Sequence, residues 1–186
     1  MDQRTRRENM TLEKINPLDL QVKPHQLFLR QAMLLTAGDF ASGDFNCMTI
    51  GWGSIGTMWN KPFVLVAVRP TRHTFLFMEK YPDFTVTAFP NEYADDLLYL
   101  GRASGRDGNK LAKTKLTAIA SHEIASPTFA QAELSFECKK IFFHDFLPEK
   151  FVDTVIEKHY PLKDYHRVYY GEIVAAFGIS AYNSQV

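Results

Sequence analysis

Disulfide density, an excess of one charge, long apolar runs and glycine-rich nucleotide motifs are all missing from this chain. Each absence removes a class of protein. Cys47 and Cys138 are the only cysteines, too few and too far apart for a secreted disulfide scaffold, and both are expected as free thiols in a reducing cytoplasm. The 21 Lys and Arg are matched by 21 Asp and Glu, so there is no basic footprint for a phosphate backbone and nucleic acid is not an expected partner. The arginine- and acid-rich start, Met1 to Asn9, leads into no apolar core, which argues against a signal peptide or a membrane anchor. Neither G-x-G-x-x-G nor G-x-x-x-x-G-K-S/T occurs, which argues against a doubly wound nucleotide-binding sheet. There is no nucleophile elbow and no evident Ser/His/Asp set. His25, His73, His122, His144 and His159 lack zinc-like spacing, so no metal is expected. Without repeats, low-complexity tracts or Gly/Ser linkers, residues 13–186 read as one domain behind a disordered arm over residues 1–12.

What is present is β-structure with large side chains. Aromatics make up 13% of the residues, and the apolar runs are short and β-branched. Pro62 to Val68 reads as a strand buried on both faces, and Phe84 to Phe89 as a strand bounded by Pro82 and Pro90. From Glu133 to Lys139, Glu133, Ser135, Glu137 and Lys139 alternate with Leu134, Phe136 and Cys138, the pattern of a half-buried strand. Lys139-Lys140 breaks that alternation, which predicts a bulge. Arg167 to Phe177 is a further strand, interrupted at Gly171. Helices are expected over Glu92–Leu100, capped by Asn91 and stopped at Gly101, over Phe75–Lys80, capped by Thr74, and over Glu149–His159 behind Pro148. The fold class is therefore mainly β with inserted helices.

Three segments carry chemistry. Asn46-Cys47-Met48-Thr49-Ile50-Gly51-Trp52 supplies small residues and backbone amides for a flat ring, with Gly51 permitting close approach. Its bland alternative is an ordinary strand face of Met48, Ile50 and Trp52. Arg69-Pro70-Thr71-Arg72-His73-Thr74 gathers two guanidinium groups and two hydroxyls before a predicted helix, a natural cradle for a terminal phosphate, with a solvated surface turn as the alternative. Ser104-Gly105-Arg106-Asp107, with Lys110 one turn on, is a polar turn in which Ser104 or Asp107 can also serve as a cap. Together the three suggest a flavin phosphate site.

In order and spacing these segments resemble the flavin reductase-like family of FMN-binding split β-barrels, which includes flavoredoxins. The resemblance runs from about residue 30 to Gly171-Glu172-Ile173. Gly101 extends the third string to a G-x-x-S-G-R-D pattern, and His166 to Ile173 resembles the family's final H-x-x-x-x-G-E-V strand with isoleucine for valine. The resemblance implies a split barrel of Greek-key type. It places Asn46, Met48, Thr49, Ile50, Gly51 and Trp52 along the isoalloxazine. The FMN phosphate falls to Arg69, Thr71, Arg72 and Thr74, and phosphate and ribityl contacts to Ser104, Gly105, Arg106, Asp107 and Lys110. His166 would orient a nicotinamide, the alternative being a purely structural histidine.

The implied activity is oxidoreduction, with NADH or NADPH as transient hydride donor to bound FMN and a small-molecule or protein electron acceptor. The alternative is a flavoredoxin-like FMN carrier without nicotinamide activity, and a further one is a barrel that has lost flavin and serves as an interaction module. A homodimer is expected, because the family pairs barrels and because Phe142, Phe143, Phe146, Tyr169 and Tyr170 do not all fit one core.

Overall fold

The computed structural model describes residues 12–185. The arm expected over residues 1–12 therefore lies, apart from Leu12, outside the described residues. Ten strands form: β1 (Glu13–Ile15), β2 (Met33–Asp39), β3 (Asp44–Ile50), β4 (Gly53–Met58), β5 (Lys61–Val68), β6 (Asp83–Ala88), β7 (Ala118–Ile119), β8 (Thr128–Phe129), β9 (Leu134–Asp145) and β10 (Arg167–Gly178). Eight make one antiparallel sheet in the order β3-β2-β6-β9-β10-β5-β4, with β1 paired to β10, while β7 and β8 form a separate ribbon. After β3 the chain builds β4 and β5 on the opposite edge and returns to lay β6 beside β2, a Greek-key path.

The two edge strands, β3 and β4, are neighbours in sequence, joined by Gly51-Trp52, yet no ladder connects them among the described residues. Ile50 from one edge and Ile55 from the other nevertheless pack against the same core, with Val64, Val66, Phe84, Val86, Phe136 and Tyr169. The sheet therefore curls into a barrel that is split between β3 and β4. A second apolar cluster, Leu34, Cys47, Phe89, Leu97, Leu100, Leu116 and Phe129, lies behind β2 and β3. It explains why β2 is buried on both faces: Met33, Leu35 and Ala37 fill the barrel and Leu34 the outer cluster.

The strand expected over 62–68 forms as β5 and is mostly buried, and the one expected over 84–89 forms as β6, wholly buried but ending at Ala88. The bulge is present one residue beyond Lys140: Gly171 pairs with Lys140 and Tyr170 with Phe142, leaving Ile141 without a partner. Gly171 does not interrupt β10. It is small because a Cβ there would lie 2.4 Å from Phe84 Cζ.

Four local expectations need correction. The polar side of β9 is solvated only at Lys139, since Ser135 and Glu137 are buried beneath the segment 118–129. Thr128 and Ser135 share a hydroxyl hydrogen bond, and the backbone N–H groups of His122 and Glu123 donate to Glu137. Asn91 starts a 3-10 turn without capping through its side chain, and the helix proper runs through Gly101 to Arg102. Thr74 lies inside the helix it was expected to cap, which spans His73–Lys80 behind Arg72. Residues 149–159 form two short 3-10 turns instead of a helix, with Val152 at 99% exposure. No apolar surface receives that face, so helical spacing alone does not hold it.

Helices are numbered α1 (Pro24–Gln26), α2 (His73–Lys80) and α3 (Ala94–Arg102). No helix among the described residues is long and apolar enough to cross a membrane, and no cluster of His, Cys, Asp or Glu there is arranged to hold a metal. Cys47 and Cys138 are free and buried.

Candidate functional site

The split between β3 and β4 opens beside the N-terminus of α2, the C-terminus of α3 and the turn over 103–110. Two adjoining cavities lie there, of about 170 and 190 Å³, sharing Met48 and Arg72.

The first is enclosed by Asn46, Thr71, Arg72, His73, Thr74, Gly101, Ser104, Gly105, Arg106 and Lys110. α2 is held against β3 by a short relay: Asn46 Nδ2 donates to Thr74 Oγ1 at 2.8 Å, and that hydroxyl donates to the Cys47 carbonyl at 3.2 Å. Thr74 is thus a structural clamp whose only proton is committed. Gly105 allows the 103–110 turn to close on this clamp, since a Cβ there would sit 2.4 Å from Asn46 Oδ1. Ser104 stabilises the same turn by accepting from the Arg106 amide at 3.2 Å.

The cations around this cavity are not equivalent. Arg106 donates to the Thr71 carbonyl at 3.0 Å. Lys110 Nζ donates to the Leu100 and Ala103 carbonyls at 2.9 and 3.1 Å, closing the C-terminal end of α3. Burial, with Arg72 nearby, pushes the Lys110 ammonium below its ordinary range, while the Cys47 thiol opposes that shift. Cys47 itself is pushed up to about 11 by burial and is inert as a nucleophile at neutral pH. The Arg72 guanidinium has no hydrogen bond or ion pair with any described residue. No carboxylate lines either cavity, and the first turn of α2 has no side-chain cap. An unpaired guanidinium beside uncapped helix N–H groups, with no acid to neutralise them, fits a phosphate.

The second cavity is lined by Thr49, Ile50, Gly51, Trp52, Ala67, Arg69 and His166 in addition to the shared pair. Arg69 is engaged: it donates to Asp164 at 2.7 Å and to the His159 carbonyl at 2.7 Å, and its guanidinium lies 4.9 Å over the Tyr160 ring. It anchors the segment 148–165, and the Thr71 hydroxyl makes a long contact of 3.5 Å to the same Asp164 carboxylate, whereas Arg72 bonds none of this segment. The Trp52 ring packs 4.8 Å from His166 and edge-on to His159 at 5.5 Å. Burial, with Arg69 and Arg72 adding to it and Asp164 opposing, lowers His166 to about 4. At neutral pH it is therefore an uncharged imidazole.

Of the residues singled out from the sequence, all but one line these two cavities, His166 included. The exception is Asp107, which is exposed on a short 3-10 turn and lines neither. Sequence reasoning missed His73, which lines the first cavity and whose Nδ1 is buried without a hydrogen-bond partner. Its place at the head of a helix, directly after Arg72, was the available signal. Leu100, Ala103 and Ala67 were also missed, and nothing in their residue type distinguishes them from ordinary core.

A family model described as the flavin reductase-like domain matches residues 26–183. The chain belongs to the flavin reductase-like family. No curated protein matches it significantly. Among solved structures, it is similar to an FMN-binding domain of a flavin reductase-like enzyme from Shewanella baltica, with 16% identity and a TM-score of 0.66 over 91% of this chain and 78% of the other. It is also similar to a flavoredoxin from Methanosarcina acetivorans, with 21% identity and a TM-score of 0.61 over 85% and 75%. A third is an NADH:FAD oxidoreductase from Streptomyces globisporus, at 15% identity and a TM-score of 0.62 over 82% and 78%. At these identities the likenesses establish the split barrel of the flavin reductase-like family, and the chemistry must be argued from the cavities.

Proposed function

We propose that the two cavities together hold one FMN and that the protein is an oxidoreductase of the flavin reductase type. NADH or NADPH would be the hydride donor, and a small molecule or a protein the electron acceptor. The observation that carries this reading is the unpaired Arg72 beside the uncapped first turn of α2, in a cavity pair without a carboxylate. Thr71, Arg72 and the α2 amides would hold a terminal phosphate, with Ser104, Gly105 and Arg106 closing over it. The strand end from Thr49 to Trp52 would line the ring. A bound flavin supplies reversible hydride and electron transfer that no side chain here can perform. The protein's part is to bind, to orient and, through neutral His166, to avoid adding a positive charge beside the ring. Its buried free thiols Cys47 and Cys138 suit a reducing cytoplasm.

The test is direct. Purified protein should release FMN, and not FAD, on denaturation, in about one equivalent as read by chromatography, because a single guanidinium at one helix terminus suits one terminal phosphate. NADH or NADPH added without oxygen should then bleach the bound flavin. Binding without bleaching would favour the carrier reading, and no binding after reconstitution would remove both.

We further propose that the protein is a homodimer. Trp59, Phe142 and Tyr170 form a ring cluster with centroids 5.7, 6.1 and 5.6 Å apart on the outer face of β9 and β10, and Phe143 is also exposed. Tyr169, expected among these surplus aromatics, is instead core. Aromatic area of this kind is enriched at interfaces. Sedimentation at micromolar protein should give twice the monomer mass, and a strict monomer would leave this face without the role assigned to it.

A further inference from the structure

Tyr160 and His166 form a buried pair at the wall of the second cavity, with Tyr160 Oη 2.8 Å from His166 Nδ1. The other group that bonds the Tyr160 hydroxyl is the His166 backbone N–H, itself a donor, so Nδ1 is the one acceptor for the hydroxyl proton among the described residues. If it accepted a proton from Nδ1–H, its own proton would be buried unpaired, a costly arrangement. The hydroxyl therefore donates, Nδ1 accepts, and the single proton of the neutral ring sits on Nε2. Nε2 itself is hydrogen-bonded to no described residue, and the ring lines the cavity. Tyr160 is held in place by Arg69, which lies over its ring at 4.9 Å while paired to Asp164 at 2.7 Å. Phe151 stacks beside it with centroids 6.0 Å apart.

We propose that Tyr160 is a positioning residue that fixes His166 as the Nε2–H tautomer, so that the second cavity presents one neutral N–H donor. Such a donor selects a carbonyl or amide oxygen on the molecule that enters, the class to which a nicotinamide carboxamide belongs. It disfavours a ligand that offers only N–H or cationic groups. The assignment of substrate rests on the proposed function, whereas the tautomer is a property of the protein alone.

The test uses the full chain, labelled with ¹⁵N-histidine and free of flavin, with the His166 ring assigned by its loss in His166→Gln. Long-range ring correlations should show protonated Nε2 and unprotonated Nδ1, with the Tyr160 hydroxyl proton correlated to Nδ1. A protonated Nδ1, or ring shifts averaged between tautomers, would overturn the proposal. Tyr160→Phe should then average the tautomers and slow flavin bleaching by NADH about fivefold, the scale of one hydrogen bond, with FMN affinity unchanged. A folded variant with unaltered ring shifts would also overturn it. If that variant does not fold, the hydroxyl-to-Nδ1 correlation in the unsubstituted protein decides. Should the protein bind no flavin, the proposed function fails while the tautomer result stands.

Discussion

Arg72→Ala is expected to bind FMN about ten- to a hundred-fold more weakly, roughly 1.5–3 kcal/mol, the range for a hydrogen bond to a charged group. The thermal midpoint of the unliganded protein should not move, because the Arg72 guanidinium holds nothing in place among the described residues. Arg69→Ala is the informative contrast. That guanidinium is already bound to Asp164 and to the His159 carbonyl, so its loss should loosen the segment 148–165 and leave phosphate affinity nearly intact. Titration of flavin fluorescence against each variant, repeated at higher salt, separates the two roles. An Arg72→Ala protein with unchanged affinity would remove the phosphate from this end of the site.

The largest loss of stability is expected from Glu137→Ala. The carboxylate is fully buried, at 0% exposure, and accepts from the His122 amide at 2.9 Å and the Glu123 amide at 2.7 Å. Removing it leaves two backbone donors without an acceptor under a packed strap, at a cost of about 3 kcal/mol. A parallel anchor remains, since Asp83 accepts from the Ser126 amide at 3.0 Å, so the strap should open locally and not unfold the barrel. Urea denaturation should show a lower midpoint, and hydrogen exchange should quicken at the amides of His122 and Glu123. An unshifted midpoint would mean that water replaces the carboxylate at no cost. Glu137→Gln retains one acceptor oxygen and should lose less.

These two residues also mark the boundary of what could be read from the chain. Arg72 stood out because its neighbours in sequence are its neighbours in the site: a cradle at a helix start is local, and so is the turn from Ser104 to Lys110. β5 and β6 were legible for the same reason, their apolar runs being continuous over a few residues. Glu137 was misread because its partner is a strap some fifteen residues upstream that turns a polar strand face into an interior one. Alternation reports which side chains differ in polarity, not which side meets water. Likewise, apolar residues at helical spacing over 149–159 announce a helix only if a surface exists to receive them, and the long-range anchors of that segment, Arg69 and Trp52, override it. The division of labour between Arg69 and Arg72 depends on Asp164, far along the chain, and no local pattern contains it.

An unpaired strand edge invites addition of a foreign strand. On β3 the Cys47 carbonyl receives the Thr74 hydroxyl from α2, and the Thr49 hydroxyl donates to the Leu97 carbonyl on α3. The helices that shape the cavities are thus also the guards of an aggregation-prone border. Engineering that pries α2 or α3 outward to admit a bulkier ligand would expose the first template for self-association, so solubility and ligand scope are coupled through the same two hydroxyls.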